Sequence, residues 1–330
     1  MTTNRQVLLA AHPVGMIKDT DFEIVEAPVP EPGDGDVLLR TLYLSLDPAI
    51  RAWMTGMDTY VPGIQVGDVM RAGAIAEVVE SHSPQFAAGD LVLGMLGWAD
   101  YSVVRPGVDL VRAVPRQEPI TAFLSVYGVT GLTAFFGVLD VAPAEPGDTF
   151  VVSGAAGAVG SVAGQIAKIK GCRVVGIAGG PAKCDWVTGE LGFDACIDYK
   201  AGNVAARLRE TCPDGIDVYF DNVGGEILDA VLGQINQRAR IALCGAISQY
   251  NEAEPPPGPR NLVNLVPQRG RMEGFIVLDY LDRFLDAILQ LGQWVEEGRI
   301  KYAEEIVDGL EQAPRAIRKL FTGENTGKLI

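Results

Sequence analysis

From Val7 to Pro115 the chain alternates short apolar runs with Pro, Gly and Asp: Val7–Leu9, Phe22–Val25, Val37–Leu46, Gly73–Glu80, Leu91–Leu96 and Tyr101–Val104. Runs of strand length broken by turn residues predict a compact, partly closed β-rich domain. The stretch Pro28–Asp36, PVPEPGDGD, reads as an ordered surface turn, because strands resume straight after it. Between Pro119 and Asp140 the period changes. Leu124, Tyr127, Leu132, Phe135, Phe136 and Leu139 fall at helical spacings interrupted at Gly128 and Gly131, which predicts two helices meeting at a bend and a domain junction there.

Beyond the junction, strand and helix patterns alternate. Thr149–Ser153 is an apolar run of buried-strand length, Ser161–Lys170 sets Val162, Gln165, Ile166 and Ile169 at helical spacing, and Arg173–Ile177 is again strand-like. The alternation continues with helix at Lys183–Leu191, strand at Ala195–Asp198, helix at Asn203–Thr211, strand at Ile216–Asp221, helix at Glu226–Ile235 and strand at Ala239–Leu243. This is the pattern of an α/β, doubly wound parallel sheet. After a stiff proline loop at 255–259, a strand is expected at Met272–Leu278 and a long amphipathic helix at Leu281–Glu297. Lys301–Val307 and Lys328–Ile330 read as strands with a helix, Glu311–Phe321, between them. These last strands are expected to return to the first domain.

The connection between the first two strands of this alternation is Gly154-Ala155-Ala156-Gly157-Ala158-Val159-Gly160. Its small residues let the backbone approach an anion, and the helix that follows aims unpaired N–H groups and its positive dipole end at the same place, which suits a pyrophosphate. Ala155 stands where the G-x-G-x-x-G fingerprint has its first glycine. The place after a strand and before a helix favours a dinucleotide-binding turn over a plain tight turn.

Which dinucleotide is decided at the end of the second strand, where NAD enzymes carry an acid about 20 residues after the glycines. Here the chain reads Ile177-Ala178-Gly179-Gly180-Pro181, with no acid, and Lys183 follows. A 2′-phosphate, and therefore NADP, is favoured; a solvated surface lysine is the alternative for Lys183.

Charge and cysteine count narrow the partners. Over 330 residues the formal net charge is -15 and 48% of residues are hydrophobic, enough for two cores and repulsive to nucleic acid or an anionic membrane. No apolar run reaches the roughly 18 residues of a membrane span, and Met1-Thr2-Thr3-Asn4-Arg5 does not lead into a signal-peptide core, so a cytoplasmic protein is expected. Five cysteines at wide spacings (172, 184, 196, 212 and 244) read as ordinary thiols in a reducing compartment. With His12 and His82 the only histidines and no ligand cluster in the sequence, no metal is expected.

Several ordered motifs go further: LSLDPAIRAWM, GLTAFFGVLDV, GAAGAVGSVAGQIAKIKGCRVVGIAGG, FDNVGGEILD, ARIALCGAISQYN, RMEGFIV and GENTGK. With them the chain resembles the zinc-free medium-chain dehydrogenase/reductases. Within these it is similar to the NADP-dependent double-bond reductases, a group that includes prostaglandin, 2-alkenal and curcumin reductases. The resemblance implies a GroES-like substrate domain over residues 1–125, a Rossmann NADP-binding domain over 126–300 and a tail, 301–330, that returns to the substrate domain. It also implies a homodimer.

Carried over by residue, the resemblance assigns Ala156, Gly157, Ala158, Val159 and Gly160 to the pyrophosphate, and Lys183 and Tyr199 to the 2′-phosphate. It assigns Asn222 to the ribose side, and Cys244, Gly245, Ala246, Ile247, Ser248 and Tyr250 to the loop around nicotinamide. Phe275, Ile276 and Val277 would contact the carboxamide, and Asn325 would close the site. Asn222 also reads as a turn former and Phe275–Val277 as buried strand. Where relatives place tyrosines this chain has Ala49, about Gly73, and Pro267. Tyr250 and Tyr60 are therefore the candidate proton donors, and each also reads as a structural hydroxyl. The implied activity is NADPH-dependent reduction of the carbon–carbon double bond of an enone or alkenal. A quinone reductase and a non-catalytic NADP-binding protein are the alternatives.

Overall fold

The structure, a computed structural model, describes residues 3–254 and 256–330. Met1 and Thr2 of the amino-terminal reading, and Pro255 of the proline loop, lie outside the described residues. The chain divides into two compact units. One holds the chain up to Leu124 together with Glu305–Ile330, and the other is Ser125–Glu304.

In the first unit, β1 (Thr3–Leu9) pairs antiparallel with β2 (Phe22–Pro28). A five-stranded antiparallel sheet has the order β6-β3-β4-β5-β7, built from β3 (Val37–Leu44), β4 (Arg71–Ser81), β5 (Leu91–Gly97), β6 (Tyr101–Val104) and β7 (Val111–Ala113). Val37, Leu39, Ala74, Ala76 and Val92 make one core of this sheet. A second core gathers Val7, Leu9, Ile50, Trp53, Trp98 and the tail residue Leu329. Ile50 and Trp53 lie on the five-residue α1 (Ala49–Trp53). The tail is held by Leu46 N–H donating to Leu329 O at 3.1 Å and Ile330 N–H to Glu305 O at 2.9 Å.

Lys328 anchors the tail through its side chain. Its ammonium is buried, lies 3.1 Å from Asp47 Oδ1 and donates to Leu46 O at 2.7 Å. A buried charge persists only when paired and hydrogen-bonded, and this one fastens the GENTGK tail to the LSLDP segment.

The second unit is a six-stranded sheet of order β10-β9-β8-β11-β12-β13, parallel at every pairing. Its strands are β8 (Thr149–Ser153), β9 (Arg173–Ala178), β10 (Ala195–Asp198), β11 (Ile216–Asp221), β12 (Ile235–Leu243) and β13 (Arg271–Gly274). The helices that cross between them are α3 (Ala158–Ile169), α4 (Pro181–Gly189), α5 (Val204–Thr211) and α6 (Gly225–Leu232), and α2 (Val129–Phe136) precedes β8. All five residues of β8 are buried, as a central strand covered on both faces requires. The strand order reverses between β8 and β11, so the crevice at their carboxyl ends is the place where a doubly wound sheet binds nucleotides.

Several expectations about elements need correction. The strand read over Met272–Leu278 ends at Gly274, because its neighbour β12 stops at Leu243, the partner of Gly274, and no ladder remains beyond. Phe275 instead packs edge-on against Phe220, and Val277 opens a 3-10 segment, Val277–Arg283. That segment replaces the start of the expected Leu281–Glu297 helix, since Tyr280 stacks on Phe136 at 4.4 Å with non-helical dihedrals, and the α-helix begins at Phe284. β12 begins earlier than read, at Ile235, and absorbs the difference in a bulge where Arg238 has a φ of 65°. In the tail, Lys301–Val307 contributes only a two-residue strand, and Glu311–Phe321 breaks into short helical turns around Pro314. Of the two junction glycines, Gly128 caps α2 whereas Gly131 lies inside it.

Candidate functional site

The glycine turn leaves β8 at Gly154, whose φ of 63° favours glycine, and Gly157 N–H donates to Gly154 O at 2.8 Å to close it. Gly157 is the N-cap of α3 and supplies no side chain to cap it, which leaves the first-turn N–H groups to a ligand. A Cβ on Gly160 would sit 2.3 Å from Gly154 O, so the helix can approach the turn only with glycine there. Ala155, in the place of the fingerprint's first glycine, is accommodated from the other side: a Cβ on Gly176 of β9 would lie 2.8 Å from the Ala155 Cβ. The glycine missing from the turn has a counterpart in the adjacent strand.

Across the reversal, Asp221 ends β11 fully buried. Its Oδ1 accepts four hydrogen bonds, from Ser153 Oγ at 3.0 Å, Tyr219 Oη at 2.7 Å, and the N–H groups of Val223 and Gly224 at 2.9 Å each. Its backbone carbonyl accepts from the N–H groups of Cys244 at 2.9 Å and Gly245 at 3.1 Å. The other carboxylate oxygen, Oδ2, is buried with no hydrogen-bond partner. Asn222 is tied to β8 by its Nδ2 on Ser153 O at 2.7 Å, and its own carbonyl accepts from Ile247 N–H at 3.3 Å. Ser248 donates to Val223 O through its hydroxyl at 2.6 Å. The loops that follow β8, β11 and β12 are thereby knitted into one wall that contains Ala156–Gly160, Asn222 and Cys244–Ser248.

Tyr250 completes that wall. Its hydroxyl accepts from Ala246 N–H at 3.2 Å, which leaves its own proton available to donate. Burial pushes the Tyr250 hydroxyl above the ordinary tyrosine range, partly offset by the Ala246 N–H. Burial also pushes the Cys244 thiol up to about 12, with the Asp221 charge adding to it, so Cys244 stays protonated.

The ends of β9 and β10 form a separate recess. The Tyr199 ring lies over Gly179, where a Cβ would come within 2.8 Å of it. Gly180, at a φ of 96°, turns the chain into α4 and donates its N–H to Asp198 Oδ1 at 2.7 Å, which also accepts from Lys200 N–H at 2.9 Å. Lys183 lies half-buried in the first turn of α4. Lys183 thus follows the glycine turn that the Tyr199 ring covers. Asp198, the acid nearest this turn, is engaged by backbone N–H groups. These cradles fit a dinucleotide: side chains are absent where a pyrophosphate must approach, and β9 ends without the acid that NAD enzymes place there.

Phe275, Ile276 and Val277 follow the end of β13, the last with its side chain buried. The remaining candidates belong to the other unit. Tyr60 is half-exposed and meets Trp53 edge-on at 6.4 Å, and Asn325 Nδ2 donates to Gly327 O at 3.1 Å. Ala49 opens α1, and Gly73 accepts at its carbonyl from Ser45 N–H at 2.7 Å. Pro267 lies in a four-residue helix, Leu265–Gln268, of the second unit. Among the described residues no group of three or more His, Cys, Asp or Glu is placed to hold a metal.

Comparison with known proteins decides the family. The chain matches the model described as N-terminal domain of oxidoreductase over residues 5–112, and the one described as Zinc-binding dehydrogenase over 158–291. It is 45% identical to the NADPH-dependent curcumin reductase of Escherichia coli, over 99% of this chain and 96% of that protein. The chain belongs to the NADP-dependent double-bond reductase group of the medium-chain dehydrogenase/reductases. The 2-alkenal reductase (NADP(+)-dependent) of Nicotiana tabacum is 40% identical over 99% of this chain and 97% of its own. The crystal structure of CurA from Vibrio vulnificus in complex with NADPH superposes with a TM-score of 0.94 at 42% identity, covering 98% of each chain.

Sequence reasoning named residues along this wall but not Ser153 and Asp221, which join its loops. Asp221 was visible only as the acid in FDNVGG, and Ser153 only as the last residue of an apolar strand. Two small polar residues that end neighbouring parallel strands are the signal that could have found them, since buried polar groups there must pair with something.

Proposed function

We propose that this protein reduces the carbon–carbon double bond of α,β-unsaturated ketones or aldehydes by hydride transfer to the β-carbon. The enzyme is an NADP-dependent oxidoreductase. The observation that supports the finer reading is the knitted wall at the ends of β8, β11 and β12, in a chain that matches a curcumin reductase and a 2-alkenal reductase end to end.

NADPH, when bound, supplies the hydride. The first turn of α3 and the small residues Ala156–Gly160 hold the pyrophosphate, and Lys183 and Tyr199 hold the 2′-phosphate. Asn222 and Cys244–Ser248 would orient the ribose side, and the backbone at Phe275–Val277 would take the carboxamide. Conjugation carries the charge left by hydride addition onto the carbonyl oxygen, where a hydrogen-bond donor stabilises it as the enolate. Tyr250 is suited to this, because its hydroxyl is anchored by Ala246 N–H and burial keeps its proton in place. The α-carbon then takes a proton from Tyr250 or water, since an enolate is basic enough for either.

The absence of a ligand cluster among the described residues supports zinc independence. The charge of -15 supports a small-molecule substrate rather than nucleic acid or an anionic membrane, and no described helix is long and apolar enough to cross a bilayer. A cytoplasmic homodimer is the assembly this reading favours.

The test is a panel of enones, alkenals and quinones followed at the NADPH absorbance maximum. Enones and alkenals turning over fastest is the expected result. Quinones outrunning them, or cofactor binding with no turnover of any substrate, would overturn the proposal.

A further inference from the structure

The helix α2 does not stop at Phe136 but widens into a π-helical turn, Gly137–Val141, closed by Ala142 N–H donating to Gly137 O at 2.9 Å. Single π-turns inside helices are rare and cluster at functional sites. Here the neighbours are two rings. A Cβ on Gly137 would lie 2.3 Å from Phe220 Cε2 and 2.8 Å from Phe275 Cζ, and the two rings meet edge-on at 6.3 Å. Gly137 has a φ of -63°, which any residue adopts, so glycine is required there for room and not for its backbone.

The same turn grips the chain on both sides of Phe275. Before it, Arg271 donates through Nη2 to Val141 O. After it, Tyr280 stacks on Phe136 at 4.4 Å, and Arg283 pairs with Asp140 at 2.8 and 3.2 Å while its guanidinium lies 5.0 Å over the Phe136 ring. Sheet pairing ends at Gly274, so residues 275–277 take their place from these side-chain contacts rather than from a ladder. Phe220 is fully buried on the inner strand β11, whereas Phe275 is half-buried on chain that has left the edge strand β13. Of the two rings, Phe275 is the one able to yield.

We infer that Gly137 is a positioning residue for hydride transfer. The space it leaves fixes the Phe275 ring, and the ring fixes the Phe275–Val277 backbone, where the nicotinamide carboxamide is proposed to bind; the role rests on that proposed place. Arg283, reaching Asp140 from the solvent side, braces the same segment. Hydride transfer needs the reacting carbons held close and aligned, and a misplacement of about 1 Å caused by a distant change costs on the order of 10²-fold. Filling the space at Gly137 therefore acts at the nicotinamide end. The glycine turn after β8 and the recess at Gly179 and Gly180 are built on other strands and stay as they are.

The test compares the full-length wild type with Gly137→Ala and Arg283→Met. Each is titrated with NADPH, with its reduced 3-acetylpyridine analogue, which lacks the carboxamide NH2, and with adenosine 2′,5′-bisphosphate, which lacks the nicotinamide half. The wild type should bind NADPH several-fold more tightly than the analogue; equal affinity would sink the carboxamide reading itself. In Gly137→Ala that preference should fall toward one while the bisphosphate dissociation constant stays unchanged, and single-turnover reduction of an enone should slow by about tenfold or more. Arg283→Met, a change at an exposed side chain, should shift the preference the same way by less, and it decides the matter if Gly137→Ala does not fold. A preference that the variants leave unchanged, or a bisphosphate constant weakened as much as that of NADPH, would overturn the positioning role.

Discussion

Ser153 and Asp221, the last residues of adjacent parallel strands, join side chain to side chain at 3.0 Å across the point where the strand order of the sheet reverses. Through this bond, the three other donors that converge on Asp221 Oδ1 and the Cys244 and Gly245 N–H groups on its carbonyl, the Ser153 strand end, the Asn222 turn and the Cys244 loop become one surface. Replacing Asp221 by Ala strands those donors in a buried site, where each unsatisfied group costs about 1–3 kcal/mol. Asp221→Ala should therefore lower the unfolding free energy in urea by roughly 3 kcal/mol or more, and Asp221→Asn, which keeps an acceptor, by clearly less. Equal losses from both would mean that acceptance of these hydrogen bonds is not what Asp221 contributes.

Lys183→Glu should weaken NADPH binding by about 1.5–3 kcal/mol or more, through loss of a charge-assisted contact and added repulsion, while NADH binding changes little. Cofactor titration by fluorescence measures both. Equal loss for the two cofactors would place the effect in the fold of α4 rather than at a phosphate.

The alternation of strands and helices, the glycine turn and the absence of an acid after β9 were legible because each is written in local sequence: period, small residues and a missing charge. The shortened β13, the kink at Tyr280 and the bulge at Arg238 were not, because each is imposed by a partner distant in sequence, namely the end of β12, the Phe136 ring and the register against β11. Asp221 escaped for the same reason, since its donors come from residue 153 as well as from its own turn. The Lys328–Asp47 pair joins residues almost at opposite ends of the chain, and no pattern in either segment announces it.

Tyr250→Phe should reduce kcat by less than about tenfold, well short of the roughly 10²–10⁴ expected for an obligatory general acid, because backbone N–H groups and water remain as donors. Burial raises the Tyr250 hydroxyl above its ordinary value near 10, so its proton is present throughout neutral and mildly alkaline solution. The pH–rate profile of the wild type should accordingly show no alkaline loss below about pH 10 that Tyr250→Phe abolishes.

Elemental analysis of the purified protein should find no stoichiometric zinc, and chelators should leave activity unchanged. Both histidines are occupied elsewhere, His12 on Met54 O at 2.8 Å and His82 on Glu80 and Gly33 O. Near-stoichiometric zinc whose removal abolishes activity would contradict zinc independence.

The central claim is that hydride reaches the β-carbon and leaves the carbonyl intact. Carbonyl reduction needs the oxygen polarised, and a metal is one way to do it; conjugation instead makes the β-carbon the electrophile and asks only for hydrogen-bond donors at the oxygen. With NADPH deuterated at the transferring position and an enone substrate, the label should appear on the β-carbon of a saturated ketone in the product's NMR spectrum. An allylic alcohol with deuterium on the former carbonyl carbon would contradict the account.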